Sequence, residues 1–224
     1  MYNFLLLLKN IKNYGLLVVI KIILFEAYYT IKYLDLNSLK YEDKQSNTYE
    51  ATKNLKEYNA PYIPTPYYFL KIVSDFLKSK KIDNIFFLDL GCGYSRTQYF
   101  FSDKFKSFFL GLDIDKNIIN KMNKKKIKNS IFLYLDLRKK KNLNKINTVI
   151  KKNRKKRELV IFFSDSTEIE LLKKNLMSIS KDFIFKCILI NLKNHKIFKK
   201  TYRNIFKKNF YNYQRNINII ESNE

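Results

Sequence analysis

The residues best suited to chemistry lie between positions 85 and 136. Asp89-Leu90-Gly91-Cys92-Gly93 holds two of the chain's four glycines, the others being Gly15 and Gly111. In a sequence this poor in glycine, such a pair points to a backbone requirement. Without a Cβ, a turn can tighten and bring its amides close to a ligand. The pair follows an apolar run, Ile85 to Leu90, and precedes a helix expected over Ser95 to Phe105, which is the strand-to-helix context such a motif needs. The helix N-terminus then offers unpaired N–H groups to a carboxylate. Taken alone, Gly-x-Gly also fits a tight turn that binds nothing.

Three acids sharpen the reading. Asp89 closes the first strand, where a carboxylate can accept loop N–H groups and face a ligand's ammonium. Asp113 ends the second strand in Gly111-Leu112-Asp113, 24 residues after Asp89, at about the spacing from which an acid grips a ribose diol. Asp136 ends the third in Leu135-Asp136-Leu137 and can meet an adenine amino group. One such acid is usually a cap; three successive strands ending in acids form an edge where open α/β sheets bind ligands.

These positions need elements to hold them. Strands are expected at Ile85 to Leu90, Ser107 to Leu112, Ile131 to Leu135, Leu159 to Phe163 and Phe183 to Ile190. Helices are expected between them, at Ser95 to Phe105, Lys116 to Lys126, about 139–153 and Thr167 to Ser180. Short apolar runs alternating with helices imply βαβ units and a mostly parallel sheet. All three prolines fall in Pro61-Tyr62-Ile63-Pro64-Thr65-Pro66, an extended segment. A helix should follow it to about Lys80, with Thr65 as N-cap and Leu70, Val73, Phe76 and Leu77 at helical spacing. Near the C-terminus, Lys196 to Lys208 is compatible with a helix and Phe210 to Ile220 with one or two strands.

Composition bounds the function class. The 224 residues suffice for one α/β domain with a modest extension, and 46% hydrophobic residues argue for a folded chain. The net charge is +24, yet only six of the 44 basic residues are Arg: 96, 138, 154, 157, 203 and 215. A phosphate-reading surface usually leans on Arg for its bidentate fork, so the lysines read first as an AT-rich codon bias and nucleic acid is not the favoured partner. His195 is the only histidine, which excludes a His-dependent triad, and no metal site is expected. Cys92 and Cys187 lack metal-ligand spacing, and a reduced Cys92 fits a cytoplasmic protein.

The apolar N-terminus, Phe4 to Leu8 and Leu16 to Phe25, carries Lys21 and is too short to span a bilayer. It fits a helix docked on the domain or a second subunit, or a helix lying at a membrane surface through residues 1–35. Residues 1–60 read as a helical extension and loop, 61–224 as the domain proper.

From about Tyr62 to Arg138 the sequence resembles class I S-adenosylmethionine-dependent methyltransferases. More narrowly, it resembles a bacterial group with a Tyr-x-Pro-Thr-Pro-Tyr segment, here Tyr62 to Tyr67, before Asp-x-Gly-x-Gly-x-Gly-Arg, here Asp89 to Arg96. The resemblance implies a Rossmann-like sandwich with helices on both faces of the sheet. It implies S-adenosylmethionine as cofactor, with Asp89, Gly91, Cys92, Gly93 and Arg96 around the methionine moiety. Asp113 and Ile114 would meet the ribose, Asp136 and Leu137 the adenine, and Tyr62 and Thr65 would lie over the methionine end.

Two departures stand out. Ser95 replaces the third glycine, where it can cap the following helix. The end of the fourth strand reads Phe163-Ser164-Asp165-Ser166, without the proline-containing motif common in amine and amide methylators. Asp165 reads as a helix cap or a general base; with Ser164 and Tyr67 it completes the candidates for the reacting end. The acceptor is unassigned, a protein side chain or small molecule being favoured. The rival reading is a basic RNA-binding or interaction protein on a non-catalytic Rossmann-like scaffold.

Overall fold

The computed structural model describes residues 7–8, 10–12, 14–35, 65–136, 139–164, 179, 182–190, 202–210 and 213–221. Helix α1 (Leu16–Tyr33) precedes α2 (Tyr67–Ser79), and then the alternation begins. Its elements are β1 (Asn84–Leu90), α3 (Arg96–Lys104), β2 (Lys106–Asp113), α4 (Lys116–Lys124), β3 (Ser130–Tyr134), α5 (Lys140–Arg154), β4 (Glu158–Ser164) and β5 (Phe185–Ile190). Strands β6 (Tyr202–Phe210) and β7 (Tyr213–Glu221) follow. The expected helix over Thr167 to Ser180 lies outside the described residues apart from Ile179.

The seven strands form one sheet in the order β3-β2-β1-β4-β5-β7-β6. Strands β1 to β5 are parallel, and β7 runs antiparallel to both β5 and β6. This is a Rossmann-like sandwich built on a mostly parallel sheet. The order reverses between β1 and β4, so a crevice opens outside the carboxyl ends of those two strands.

Both faces of the sheet are covered, which is why its central strands read as continuous apolar runs. Along β1, Phe86, Leu88 and Leu90 point to a core closed by Leu143, Ile146 and Ile150 of α5. Ile85 and Phe87 point to the other core, built with α2, α3, α4 and the inner face of α1. Phe87 stacks on Phe101 and Phe109 at 4.7 and 5.5 Å between ring centres. Tyr29 of α1 enters the same core, 5.2 Å from Tyr67 and 5.1 Å from Phe100. Lys32 of α1 is tied to Asp103 of α3 at 2.8 Å. No described helix is long and apolar enough to cross a membrane.

Two expectations are corrected here. The helix allowed over Lys196 to Lys208 is replaced, from Tyr202 on, by β6. Tyr202, Ile205, Phe206 and Phe210 have helical spacing, but Asn, Tyr, Phe and Ile are weak helix formers, and cross-strand pairing with β7 decides the outcome. The N-cap of α2 is Pro66, not Thr65, and Pro66 has no side-chain acceptor to offer. The first N–H of the helix, that of Tyr67, donates to the Glu26 carboxylate of α1 instead.

Candidate functional site

The turn after β1 needs its glycines for different reasons. Gly91 has φ 86° and Gly93 φ 50°, left-handed values that glycine adopts without the Cβ penalty. A Cβ on Gly91 would meet no atom within 4 Å, so the outer face of the turn stays open. Its backbone is anchored to β2, with the Gly91 and Cys92 N–H groups donating to Leu112 O at 2.8 and 2.9 Å. Ser95 continues the left-handed path with φ 58°, and its side chain makes no capping bond to α3, contrary to the expected cap. A residue in that conformation aims its side chain away from the N–H groups an N-cap serves, which is why glycine suits the position.

Asp113 organises the turn. Its two oxygens accept from Gly93 N–H and Asp115 N–H, each at 2.8 Å. Parallel pairing sets Asp89 beside Gly111 and Asp113 beside Tyr134, so the three acids share the carboxyl edge of neighbouring strands. Asp136 follows β3 by two residues, and its carbonyl accepts from Asn142 Nδ2 at 2.7 Å. Lys139 Nζ lies 3.9 Å from its carboxylate.

Asp89 is buried, and its carboxylate accepts a hydrogen bond from the Thr97 hydroxyl of α3. Burial pushes its pKa up to about 7; Thr97 opposes the shift and the nearby Asp113 charge adds to it. Burial also raises Asp113, against the hydrogen bonds from the Asp115 and Gly93 amides. Neither acid forms an ion pair among the described residues. One buried and one half-buried carboxylate, both held above their usual range beside a turn open to solvent, would be relieved by a cation and hydroxyl donors. A cofactor carrying an ammonium, a sulfonium and a ribose diol fits that requirement. The described residues contain no cluster of potential metal ligands.

The other candidates divide. Cys92 is buried and free, its thiol pushed well up by burial. It packs down onto Gly111, where a Cβ would come within 2.9 Å of its Sγ and 2.8 Å of the Phe132 ring. Cys92 therefore supports the turn from beneath, and its side chain is not presented outward. Ile114 is half-buried beside Asp113. Ser164 ends β4 one residue past Phe163, which pairs with Leu90, so its backbone stands at the crevice. Tyr62, Leu137 and Asp165 lie outside the described residues.

Tyr67 and Arg96 take different places from those expected. The Tyr67 side chain is fully buried, its hydroxyl donating to Asp35 at 3.0 Å, so it does not face an acceptor. The Arg96 guanidinium lies over the Tyr67 ring at 4.4 Å. It pairs with Glu26 of α1 at 2.6 Å and with Asp35 at 2.9 Å. It also donates to the Thr65 carbonyl at 3.3 Å, so one buried cation joins α1, the start of α2 and the first residue of α3. Glu26 accepts from the Tyr67 N–H as well. Sequence reasoning missed this cluster, though an acid standing alone after the apolar run Leu16 to Phe25 was a signal for Glu26. Thr97, the partner of Asp89, gave no signal.

No family model matches the chain, and no curated protein sequence matches it. Solved structures with a similar fold include an RNA methyltransferase from Salinibacter ruber in complex with S-adenosyl-L-homocysteine. That match has 14% identity, covers 72% of this chain and 95% of the other, and has a TM-score of 0.49. The N-methyltransferase NodS from Bradyrhizobium japonicum WM9 matches with 9% identity, 69% and 93% coverage and a TM-score of 0.47. The bifunctional kinase-methyltransferase WbdD matches with 12% identity and a TM-score of 0.49; 69% of this chain spans only 39% of WbdD.

Proposed function

We propose that this protein is an S-adenosylmethionine-dependent methyltransferase acting on a protein side chain or small molecule. The observation that carries the reading is the acidic edge: buried Asp89, held up to about 7 with no basic partner among the described residues, beside Asp113 bonded to the Gly93 amide. In this reading Asp89 ionises to hold the ligand's ammonium. Gly91 and Gly93 let the backbone approach the methionine end, with Tyr62 and Thr65 over it. Asp113, whose oxygens already accept from the Gly93 and Asp115 amides, accepts from the ribose hydroxyls. Asp136 takes the adenine amino group, and Ile114 and Leu137 flank the base and sugar. Arg96 positions the segment at Thr65 rather than touching the cofactor.

When bound, the cofactor supplies an already activated sulfonium methyl, so the chain's own task is positioning and exclusion of water. Ser164 and Asp165, at the β4 edge, orient the acceptor and take its proton where it carries one. Calorimetric titration with S-adenosylmethionine tests the reading. Micromolar binding is expected, and Asp113→Ala should weaken it at least about tenfold, since each hydrogen bond to a charged group contributes about 1.5–3 kcal/mol. NAD should not bind. A folded wild type that takes up no S-adenosylmethionine would leave the non-catalytic scaffold as the better reading.

A further inference from the structure

Helix α1 has two faces, and only one is used by the fold. Glu26 to Arg96 and Lys32 to Asp103 fix its inner side on α3. On the outer side Leu17, Ile20, Ile23, Leu24, Tyr28 and Ile31 are exposed, Leu17 at 76% and Ile31 at 73%. At 3.6 residues per turn these positions cover an arc of about 140° along a helix about 27 Å long. No charged residue interrupts the arc. Monomeric proteins rarely leave so continuous an apolar surface open unless something binds it.

From this face, we infer that α1 lies flat on an anionic lipid surface, its outer side sunk into the headgroup–acyl boundary. The inference is independent of the cofactor reading. Three observations select this occupant. Lys21, one turn from both Leu17 and Leu24, and Lys12, just before the helix, are exposed at its margin, while the helix's one acid, Glu26, is paired with Arg96. A basic rim around an apolar face matches anionic headgroups above acyl chains. A second copy is disfavoured because each would bring its own charge of +24 to the contact, and because the arc is wider than the narrow a/d seam of a paired helix. The chain's own segment from Tyr41 to Ala60 is too polar to cover these aliphatics.

The test is flotation of the full chain with phosphatidylcholine vesicles, with and without phosphatidylglycerol. It is paired with the uncharged triple variant Leu17→Gln, Leu24→Gln, Ile31→Gln, whose altered side chains are all exposed and should leave the fold intact. Wild type should float with the phosphatidylglycerol vesicles and remain bound at roughly 1 M salt, where screening shortens to about 3 Å. The triple variant, with the same net charge, should bind at least about a hundredfold more weakly, from the lost burial of three aliphatic side chains. Equal binding by both proteins, lost together in salt, would reduce the effect to bulk charge and overturn the inference. So would a concentration-dependent dimer in sedimentation that the triple variant abolishes, with no difference on vesicles. The chain has no tryptophan, so Leu24→Trp adds a second readout. Its emission should shift to the blue on phosphatidylglycerol vesicles, and an unshifted spectrum with bound protein would also overturn the proposal.

Discussion

A carboxyl group buried without a cation prefers its proton, and Asp89 is in that position. Its folded value of about 7 lies above the roughly 3.9 of an unfolded aspartate. Its contribution to stability is therefore fully present below about pH 4 and is lost as pH rises through about 7. Burial moves Asp113 in the same direction. Binding of a cationic ligand has the opposite sign, because only ionised Asp89 attracts it. Affinity for S-adenosylmethionine should rise by up to about tenfold per pH unit and level off above about pH 7. Calorimetry from acid to neutral pH checks this; a flat profile would remove Asp89 from the cofactor's charge balance. At Gly111 the argument is steric. A methyl group there meets Phe132 and Cys92 at 2.8 and 2.9 Å, so Gly111→Ala should cost about 1–3 kcal/mol and loosen the turn that Cys92 supports. Urea unfolding measures the loss, and a variant as stable as wild type would show that the ring and thiol can move aside.

Among the elements, α1 is joined to α2 and α3 by the cluster of Glu26, Asp35, Tyr67 and Arg96. Removing the cation alone takes the guanidinium away from one fully and one partly buried carboxylate. Arg96→Met should therefore destabilise the protein by about 3–5 kcal/mol. Adding Glu26→Gln and Asp35→Asn should restore most of that, because the desolvated charges are then gone. Denaturant midpoints of the single and triple variants decide it; equal loss in both would mean that packing on Tyr67, not charge, holds the joint. The β6–β7 pair illustrates a different dependence. Strand β6 becomes a strand through pairing with β7, which in turn pairs with β5.

For the whole molecule, the charge of +24 dominates long-range behaviour. Any RNA should bind, and its affinity should fall steeply with added salt as counterion release weakens. That dependence does not identify an acceptor. At fixed salt, RNAs of different sequence should bind within about tenfold of one another; a larger discrimination in competition experiments would bring RNA forward as the acceptor.

The sequence by itself determined the alternation of strands and helices from Asn84 to Ser164 and the strand ending at Ile190, because a sheet covered on both faces writes unbroken apolar runs into its strands. It also determined the turn and its acids, because a scarcity of glycine makes Gly91 and Gly93 conspicuous and strand ends place Asp89, Asp113 and Asp136 at one edge. Tertiary structure alone decided which side chains are already engaged. Tyr67 and Arg96 carry motif positions, yet Glu26 and Asp35, 41 and 61 residues away respectively, claim their polar groups. It also decided the conformation of Ser95, the strand at Tyr202 and which half of α1 stays exposed. These depend on partners distant in the chain, and local composition carries no record of which distant surface a residue will meet.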